Sequence, residues 1–83
     1  MDYLLLTQRL GQQIRERRLN RGLTQAGLAE IAGLTRQKII AVEKGSISVG
    51  MTAYARVLGA LGCELSVIPA SMPTLEEVQG VFE

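Results

Sequence analysis

The fold of this chain is decided by residues 23–45, LTQAGLAEIAGLTRQKIIAVEKG. Two short helices are predicted there, Gln25–Ala32 and Arg36–Lys44. Each follows a threonine, Thr24 or Thr35, whose side-chain oxygen can accept a hydrogen bond from the first helical turn. Each is closed by a glycine, which readily adopts the left-handed conformation that ends a helix. The spacing therefore predicts two helices joined by a tight turn, an arrangement that lets the second lie in a DNA major groove.

The same periodicity predicts one helix before this pair and one after it. Apolar residues recur every four positions over residues 6–14, which indicates a first helix from Tyr3 or Thr7 to Asn20. A second apolar stripe indicates a last helix over Met51–Leu61. We therefore expect an all-α bundle of four to five short helices. The residues predicted to face inward are Leu6, Leu10, Ile14, Leu28, Ala29, Ala32, Ile39, Val42, Tyr54, Val57, Leu58 and Leu61.

After the last helix the repeat shortens to two residues. Cys63, Leu65 and Val67 alternate along a segment that Pro69 ends, which is typical of a β-strand. A strand needs a partner for its backbone groups, and the rest of the chain predicts none. The same strand of a second copy would supply a two-fold antiparallel partner. The alternative is an extended tail packed on the last helix.

Residues 1–69 are expected to form one domain that includes this strand, and residues 70–83 a separate tail. Thr74 and Glu77 fit a helix-capping box in the tail. A short helix is therefore one possibility for the tail, and disorder in the free protein is the other.

Charge is unevenly distributed along the chain, although the net charge is only +1. Residues 1–45 contain eight lysines and arginines against four acidic residues, a net charge of +4. Residues 46–83 contain one arginine against four glutamates, a net charge of −3. Attraction to phosphates needs only one basic surface, so this distribution is compatible with a nucleic-acid partner.

The residue content disfavours several other classes of protein. One cysteine and no histidine exclude a disulfide framework and a Cys/His metal site within the chain. Neither a nucleophile–base set nor a glycine-rich phosphate loop is visible, so we expect no catalytic residues, no cofactor and no enzyme activity. No apolar run approaches about 18 residues and no signal peptide is recognisable, so we expect a cytoplasmic protein without a membrane partner.

The motifs that carry a family resemblance are GLTQ at 22–25, LAEIAGLTRQ at 28–37 and VEKG at 42–45. Together with their flanking helices, they make the chain closely resemble the lambda-repressor-like (XRE, Cro/CI) helix-turn-helix family from Leu10 to Gly62. This resemblance implies a sequence-specific repressor that binds double-stranded DNA as a homodimer on an inverted-repeat operator.

The segment LGCELSVIP at 61–69 is similar to the HipB-type branch of this family. That resemblance implies dimerisation through a C-terminal strand, with Cys63, Leu65 and Val67 at the contact. It also implies the antitoxin of a toxin–antitoxin operon, with a kinase toxin as a possible partner. The alternative is an antitoxin or adaptor that acts chiefly by binding the toxin. Ile31, Phe82 and the acidic tail are the features that suggest it.

The resemblance also assigns DNA contacts. Gln25 matches a phosphate-contacting position, and Arg36 and Gln37 match base-contacting positions. The chemistry agrees, because arginine can pair with guanine and glutamine with adenine through two hydrogen bonds each. The complete candidate set for DNA binding is Gln25, Thr35, Arg36, Gln37, Lys38, Ile40, Ala41, Lys44 and Ser46.

Within this set, Lys38, Lys44 and Ser46 suit phosphate contacts, whereas Ile40 and Ala41 suit thymine methyl groups. The alternative for Arg36, Gln37 and Lys38 is an ordinary solvated helix face. Ile31, Ile40 and Ala41 stand where the family usually has polar residues.

Two further features concern stability. Arg18 and Glu43 match a structural ion pair of this family between the first and third helices. Gly27 replaces the usual glutamate, so the second helix lacks a capping box and is weakened by about 1 kcal/mol.

Overall fold

The computed structural model describes residues 1–70. This part of the chain forms four α-helices, in the order α1 (Tyr3–Asn20), α2 (Gln25–Ala32), α3 (Arg36–Glu43) and α4 (Met51–Ala60). α2 and α3 pack against each other, α4 packs on both, and α1 lies mainly against α3. The prediction of an all-helical bundle is confirmed for these residues. None of these helices combines the length and the apolar character needed to span a membrane.

The capping threonines position α2 and α3 as the sequence predicts. The Thr24 side chain accepts a hydrogen bond from the backbone N–H of Gly27 at 2.9 Å. The Thr35 side chain accepts one from the backbone N–H of Lys38 at 3.2 Å. Gly33 follows α2 with φ of 72°, in the left-handed region. α3 and α4 each end one residue before the predicted position, within the usual variation of helix ends.

The core lies where the four helices meet. It consists of Ile14, Leu28, Ala29, Ala32, Ile39, Val42, Ala53, Tyr54, Val57, Leu58 and Leu61. The inward face predicted for α1 is only partly correct. Leu10 is half-buried, and Leu6 is 55% exposed, because the buried residues of α1 begin at Gly11. The first turn of α1 lies outside the core.

α1 crosses the end of α3 at two glycines, where backbone meets backbone. A Cβ added to Gly11 would lie 2.6 Å from the carbonyl oxygens of Val42 and Glu43. A Cβ added to Gly45 would lie 2.6 Å from the Cα of Gln8, and Gly45 also has φ of 73°. Any side chain at either position would therefore push α1 away from α3.

The segment after α4 departs from the prediction of a strand. Residues 63–70 have no regular secondary structure, and residues 1–70 contain no strand. A strand requires a ladder partner, and the neighbouring helices of the same chain offer no free edge. Cys63 packs partly against the core, Leu65 is half-exposed and Val67 is fully exposed. The capping box predicted at Thr74 and Glu77 lies outside the described residues.

Candidate nucleic-acid interface

The outer side of α3 presents a polar and basic surface. Ile39, Val42 and Glu43 face inward, and the helical repeat of 3.6 residues places Gln37 and Lys44 on the opposite side. Arg36, Gln37, Lys38 and Lys44 are all exposed, as is Thr35 at the start of the helix. Ile40 and Ala41 are half-buried between these polar residues.

Acidic side chains are missing from this surface. Between Glu30 and Glu64 the sequence contains one acidic residue, Glu43, and the structure buries it. The basic residues of the same stretch are Arg36, Lys38, Lys44 and Arg56, and all four are exposed. Because Glu43 is buried, the surface of residues 31–63 is positively charged. The net charge of the whole chain, which is only +1, does not reveal this.

The structure brings Arg18 and Glu43 together in a buried ion pair. Arg18 Nε lies 2.6 Å from Glu43 Oε2, and Arg18 Nη2 lies 3.2 Å from Glu43 Oε1. Arg18 and Glu43 are 6% and 8% exposed. Arg18 Nη1 also donates to the carbonyl oxygen of Leu23 at 2.8 Å. The pair therefore connects α1, α3 and the turn before α2, and it neutralises the Glu43 charge beside the basic surface.

Gln25 makes a contact that sequence reasoning missed. Its Nε2 donates to Glu43 Oε1 at 3.3 Å, and the side chain is half-buried. The contact leaves the Gln25 amide with a second N–H and its carbonyl oxygen for another partner. The ion pair thus restrains the predicted phosphate-contacting side chain. The partner is 18 residues away in the sequence, so no local signal pointed to it.

The loop after α3 is fixed by Tyr54, which sequence reasoning placed only in the apolar core. The Tyr54 hydroxyl donates to the backbone carbonyl of Ser46 at 2.9 Å. Burial raises the pKa of Tyr54 above its ordinary value, because desolvation disfavours the phenolate. The half-buried Ser46 hydroxyl accepts from the backbone N–H of Ser48 at 3.2 Å and lies 2.8 Å from the Ser48 hydroxyl. The loop therefore presents both serines beside the end of α3.

The candidate set divides into three groups by accessibility. Thr35, Arg36, Gln37, Lys38 and Lys44 are exposed, and Thr35 also caps α3. Ile40 and Ala41 are half-buried. Gln25 and Ser46 are half-buried and already engaged in side-chain hydrogen bonds. No group of three histidine, cysteine, aspartate or glutamate side chains that could hold a metal ion occurs among residues 1–70. What this surface offers is hydrogen-bond donors and positive charge.

Comparison with known proteins identifies the family. Residues 9–69 match the family described as Helix-turn-helix domain. The chain is 53% identical over 51 residues to an uncharacterized HTH-type transcriptional regulator from Methanothermobacter thermautotrophicus, which is 61% of this chain and 74% of that protein. It is 33% identical over 73 residues to the immunity repressor protein of Bacillus phage phi105, which is 88% of this chain.

The same comparison spans 51% of the phage protein, so the chain corresponds to about half of that repressor's length. The family match begins within α1 and covers the rest of that helix and all of α2, α3 and α4. It therefore includes the two threonine-capped helices and their turn. The chain therefore belongs to the helix-turn-helix domain family.

Proposed function

We propose that this protein regulates transcription by binding double-stranded DNA, with α3 in the major groove. The observation that carries this proposal is the basic surface of α3: residues 31–63 expose four basic side chains and no acidic one, because the one acidic residue of this stretch is buried against Arg18. A polyanion is the partner that such a surface favours, and affinity is expected to fall steeply with salt concentration. The names of the two relatives, a transcriptional regulator and an immunity repressor, support the same function.

Base recognition is assigned to the first turn of α3. Arg36 and Gln37 are exposed at the end of the helix that enters the groove first in helix-turn-helix proteins. Arg36 suits the two acceptors of guanine, and Gln37 suits the donor–acceptor pair of adenine. The half-buried Ile40 and Ala41, one turn further on, offer apolar contact to thymine methyl groups.

Phosphate contacts are assigned to residues at the edge of this surface. Lys38 and Lys44 supply exposed charges, and Ser46 and Ser48 supply hydroxyl groups. Gln25 lies in the first turn of α2, where the positive end of the helix dipole also favours a phosphate. These contacts position the protein on DNA without selecting a sequence.

We further propose that the protein binds an inverted repeat as a homodimer, through pairing of the segment that contains Leu65 and Val67. Both side chains are exposed in the single chain although both are apolar, and the backbone beside them has no ladder partner within residues 1–70. Two recognition helices about 34 Å apart would then meet successive major grooves on one side of the duplex.

The HipB-like resemblance adds a more specific proposal. The protein would be a cytoplasmic antitoxin of the lambda-repressor-like (XRE) class that represses its own operon and binds a kinase toxin. Ile31 supports a protein partner, because it is 58% exposed on α2 where the family usually has a polar residue. Co-purification of the product of the adjacent gene with this protein tests this role, and a homodimer without a second polypeptide would count against it.

The test of DNA binding compares two single-arginine variants on a fragment of the protein's own promoter. Arg36→Ala should weaken binding about 5- to 150-fold, the range of one lost base-specific pair. Arg15→Ala removes the same charge from an exposed position on α1 and should retain most of the affinity. Fluorescence anisotropy at fixed salt measures both. Equal affinities of Arg36→Ala and wild type would refute the assigned base contact.

A further inference from the structure

The first turn of α1 is apolar on all sides and lacks a partner within the described chain. Tyr3, Leu4, Leu5 and Leu6 are between 41% and 63% exposed. Consecutive residues of a helix are about 100° apart, so four of them surround almost the whole circumference. A helical segment that is hydrophobic all round is normally buried on more than one side. The buried residues of α1 begin only at Gly11, and Gly45 beyond α3 approaches the α1 backbone at Thr7 and Gln8.

A narrower stripe on this turn has a charge pattern. Leu5, Leu6 and Arg9 share one side of α1, and Asp2, the N-cap residue just before the helix, precedes them so that the four follow the spacing i, i+3, i+4, i+7. The residues that face the core, Gly11, Ile14 and Arg18, lie on the other side of the helix. The stripe thus has two leucines in the middle, an acid at one end and a base at the other.

We propose that a second copy of this chain covers this stripe, with two α1 helices packed antiparallel about a two-fold axis. An axis between Leu5 and Leu6 places Leu5 of one copy against Leu6 of the other. The same axis places Asp2 of each copy beside Arg9 of the other, so both charged pairs are complementary.

Alternative arrangements bring like charges together. A parallel pair would place Asp2 beside Asp2 and Arg9 beside Arg9. An antiparallel pair centred on Arg9 would bring the two Arg9 side chains together and Asp2 next to Glu16. Charge therefore favours the proposed arrangement over both of these alternatives, and orientation is the usual contribution of charge at a small interface.

The position of the stripe also favours a second copy as its partner. The stripe continues along α1 to Gln13 and Glu16, which line a groove together with Glu64 and Leu65. It therefore adjoins Leu65, which belongs to the segment proposed above to pair between copies. The α1 contact does not depend on DNA binding and is tested without DNA.

Charge reversal on the full chain tests this inference. Asp2→Arg and Arg9→Asp should each raise the concentration at half-association about tenfold, because each creates two like-charge contacts per dimer. The double variant Asp2→Arg/Arg9→Asp restores both pairs and should return this concentration to within about twofold of wild type. Arg15→Asp, an exposed charge change off the stripe, is the control. Sedimentation equilibrium measures mass over a concentration series up to about 1 mM, where an interface with Kd near 0.1 mM is mostly occupied.

Two further results decide the outcome. Leu5→Glu should weaken association more than either charge reversal, because it places a charge in the apolar centre. Val67→Asp should weaken pairing through residues 63–68 without changing α1. The α1 charge variants are therefore also measured in the Val67→Asp protein. If Asp2→Arg/Arg9→Asp still restores association there, the charged pairs belong to the α1 contact. Single reversals that leave the mass unchanged, or a double variant that associates no better than the single ones, would overturn the inference.

Discussion

α2 and α3 are built from the same local signals but have different roles. Each is an α-helix of eight residues whose preceding threonine side chain caps its first turn. α2 buries Leu28, Ala29 and Ala32 and has no basic residue. α3 buries Glu43 next to two apolar residues and carries its basic residues outside.

The difference shows how a small bundle can support an exposed functional helix. α2 lies between α3 and α4 and is stabilised by apolar packing. α3 must keep its polar side free, so buried polar contacts from other elements support it, including Arg18 on Glu43 and Tyr54 beyond its end. Variants that remove these supports should therefore affect α3 more than equivalent changes on α2.

The largest effect is expected from Glu43→Ala. Removal of this carboxylate leaves the Arg18 guanidinium buried without its partner, and breaking a buried pair in this way costs about 3–5 kcal/mol. Glu30→Ala is the matched change on α2, where the side chain is exposed, and it should stay within about 0.5 kcal/mol of wild type. Urea denaturation gives both free energies of unfolding. Equal midpoints for the two variants would refute a structural role for the pair.

The next effect concerns the crossing of α1 and α3. Gly11→Ala should destabilise the protein by about 3 kcal/mol, because its Cβ would meet two backbone oxygens that cannot move separately. Gly59→Ala in α4 has open space at the same point and should stabilise the protein by up to about 1 kcal/mol through helix propensity. Thermal unfolding of the two variants measures this difference. A Gly11→Ala protein as stable as Gly59→Ala would show that the helices do not cross this closely.

Capping provides the direct comparison of the two helices. Thr24→Ala and Thr35→Ala each remove one side-chain cap and should each cost about 1 kcal/mol of stability. Only Thr35 belongs to the proposed DNA surface. Thr35→Ala should therefore weaken DNA binding more than Thr24→Ala, even though both variants lose about the same stability. Calorimetry and anisotropy on the same samples separate the two effects. A larger loss of affinity in Thr24→Ala would reverse the roles assigned to α2 and α3.

The smallest effect concerns the backbone carbonyl groups just beyond the end of each helix. Tyr54→Phe removes the part-buried bond to Ser46 after α3 and should cost about 1 kcal/mol. Arg56→Ala removes an exposed 3.3 Å bond to the carbonyl oxygen of Gly33 after α2 and should cost at most about 0.5 kcal/mol. Urea denaturation of both variants measures the two losses, and a larger loss for Arg56→Ala would contradict this order.

Alkaline pH provides an additional measurement on Tyr54. Burial raises the pKa of its phenol, so the folded protein retains this proton more strongly than the unfolded chain. Its contribution is complete below about pH 10 and is lost as pH rises through the raised pKa. The stability difference between wild type and Tyr54→Phe should therefore be smaller at about pH 11 than at about pH 8. A constant difference would contradict the burial of the hydroxyl.

Local signals predicted much of the fold. Both caps, the starts of α2, α3 and α4 and the inward residues of α2 and α3 agree with the structure, whereas the start of α1 was left open between Tyr3 and Thr7. Leu6 was placed wrongly, since a four-residue repeat shows that a side is apolar but not how far the neighbouring helices extend. The strand was not observed within residues 1–70, because its formation requires a partner that one chain does not contain.

The contacts of the candidate site were less accessible to prediction. The Arg18–Glu43 pair was expected only from the family resemblance, and the bonds from Gln25 to Glu43 and from Tyr54 to Ser46 were not expected. Arg21 Nη1 likewise donates to the carbonyl oxygen of Leu61 at 2.9 Å, over 40 residues of sequence. Such partners meet only after the chain has folded, so no pattern along the chain specifies them.

The sequence by itself determined the helices, their caps and the positive charge of α3, because these depend on residues within one or two helical turns. The tertiary structure decided which charges remain on the surface. It buried Glu43 against Arg18, and it left Arg36, Lys38 and Lys44 exposed. It also decided that the first turn of α1 lies beyond the core. Burial depends on segments brought together from distant parts of the chain, and this is why the functional surface became visible only in the folded molecule.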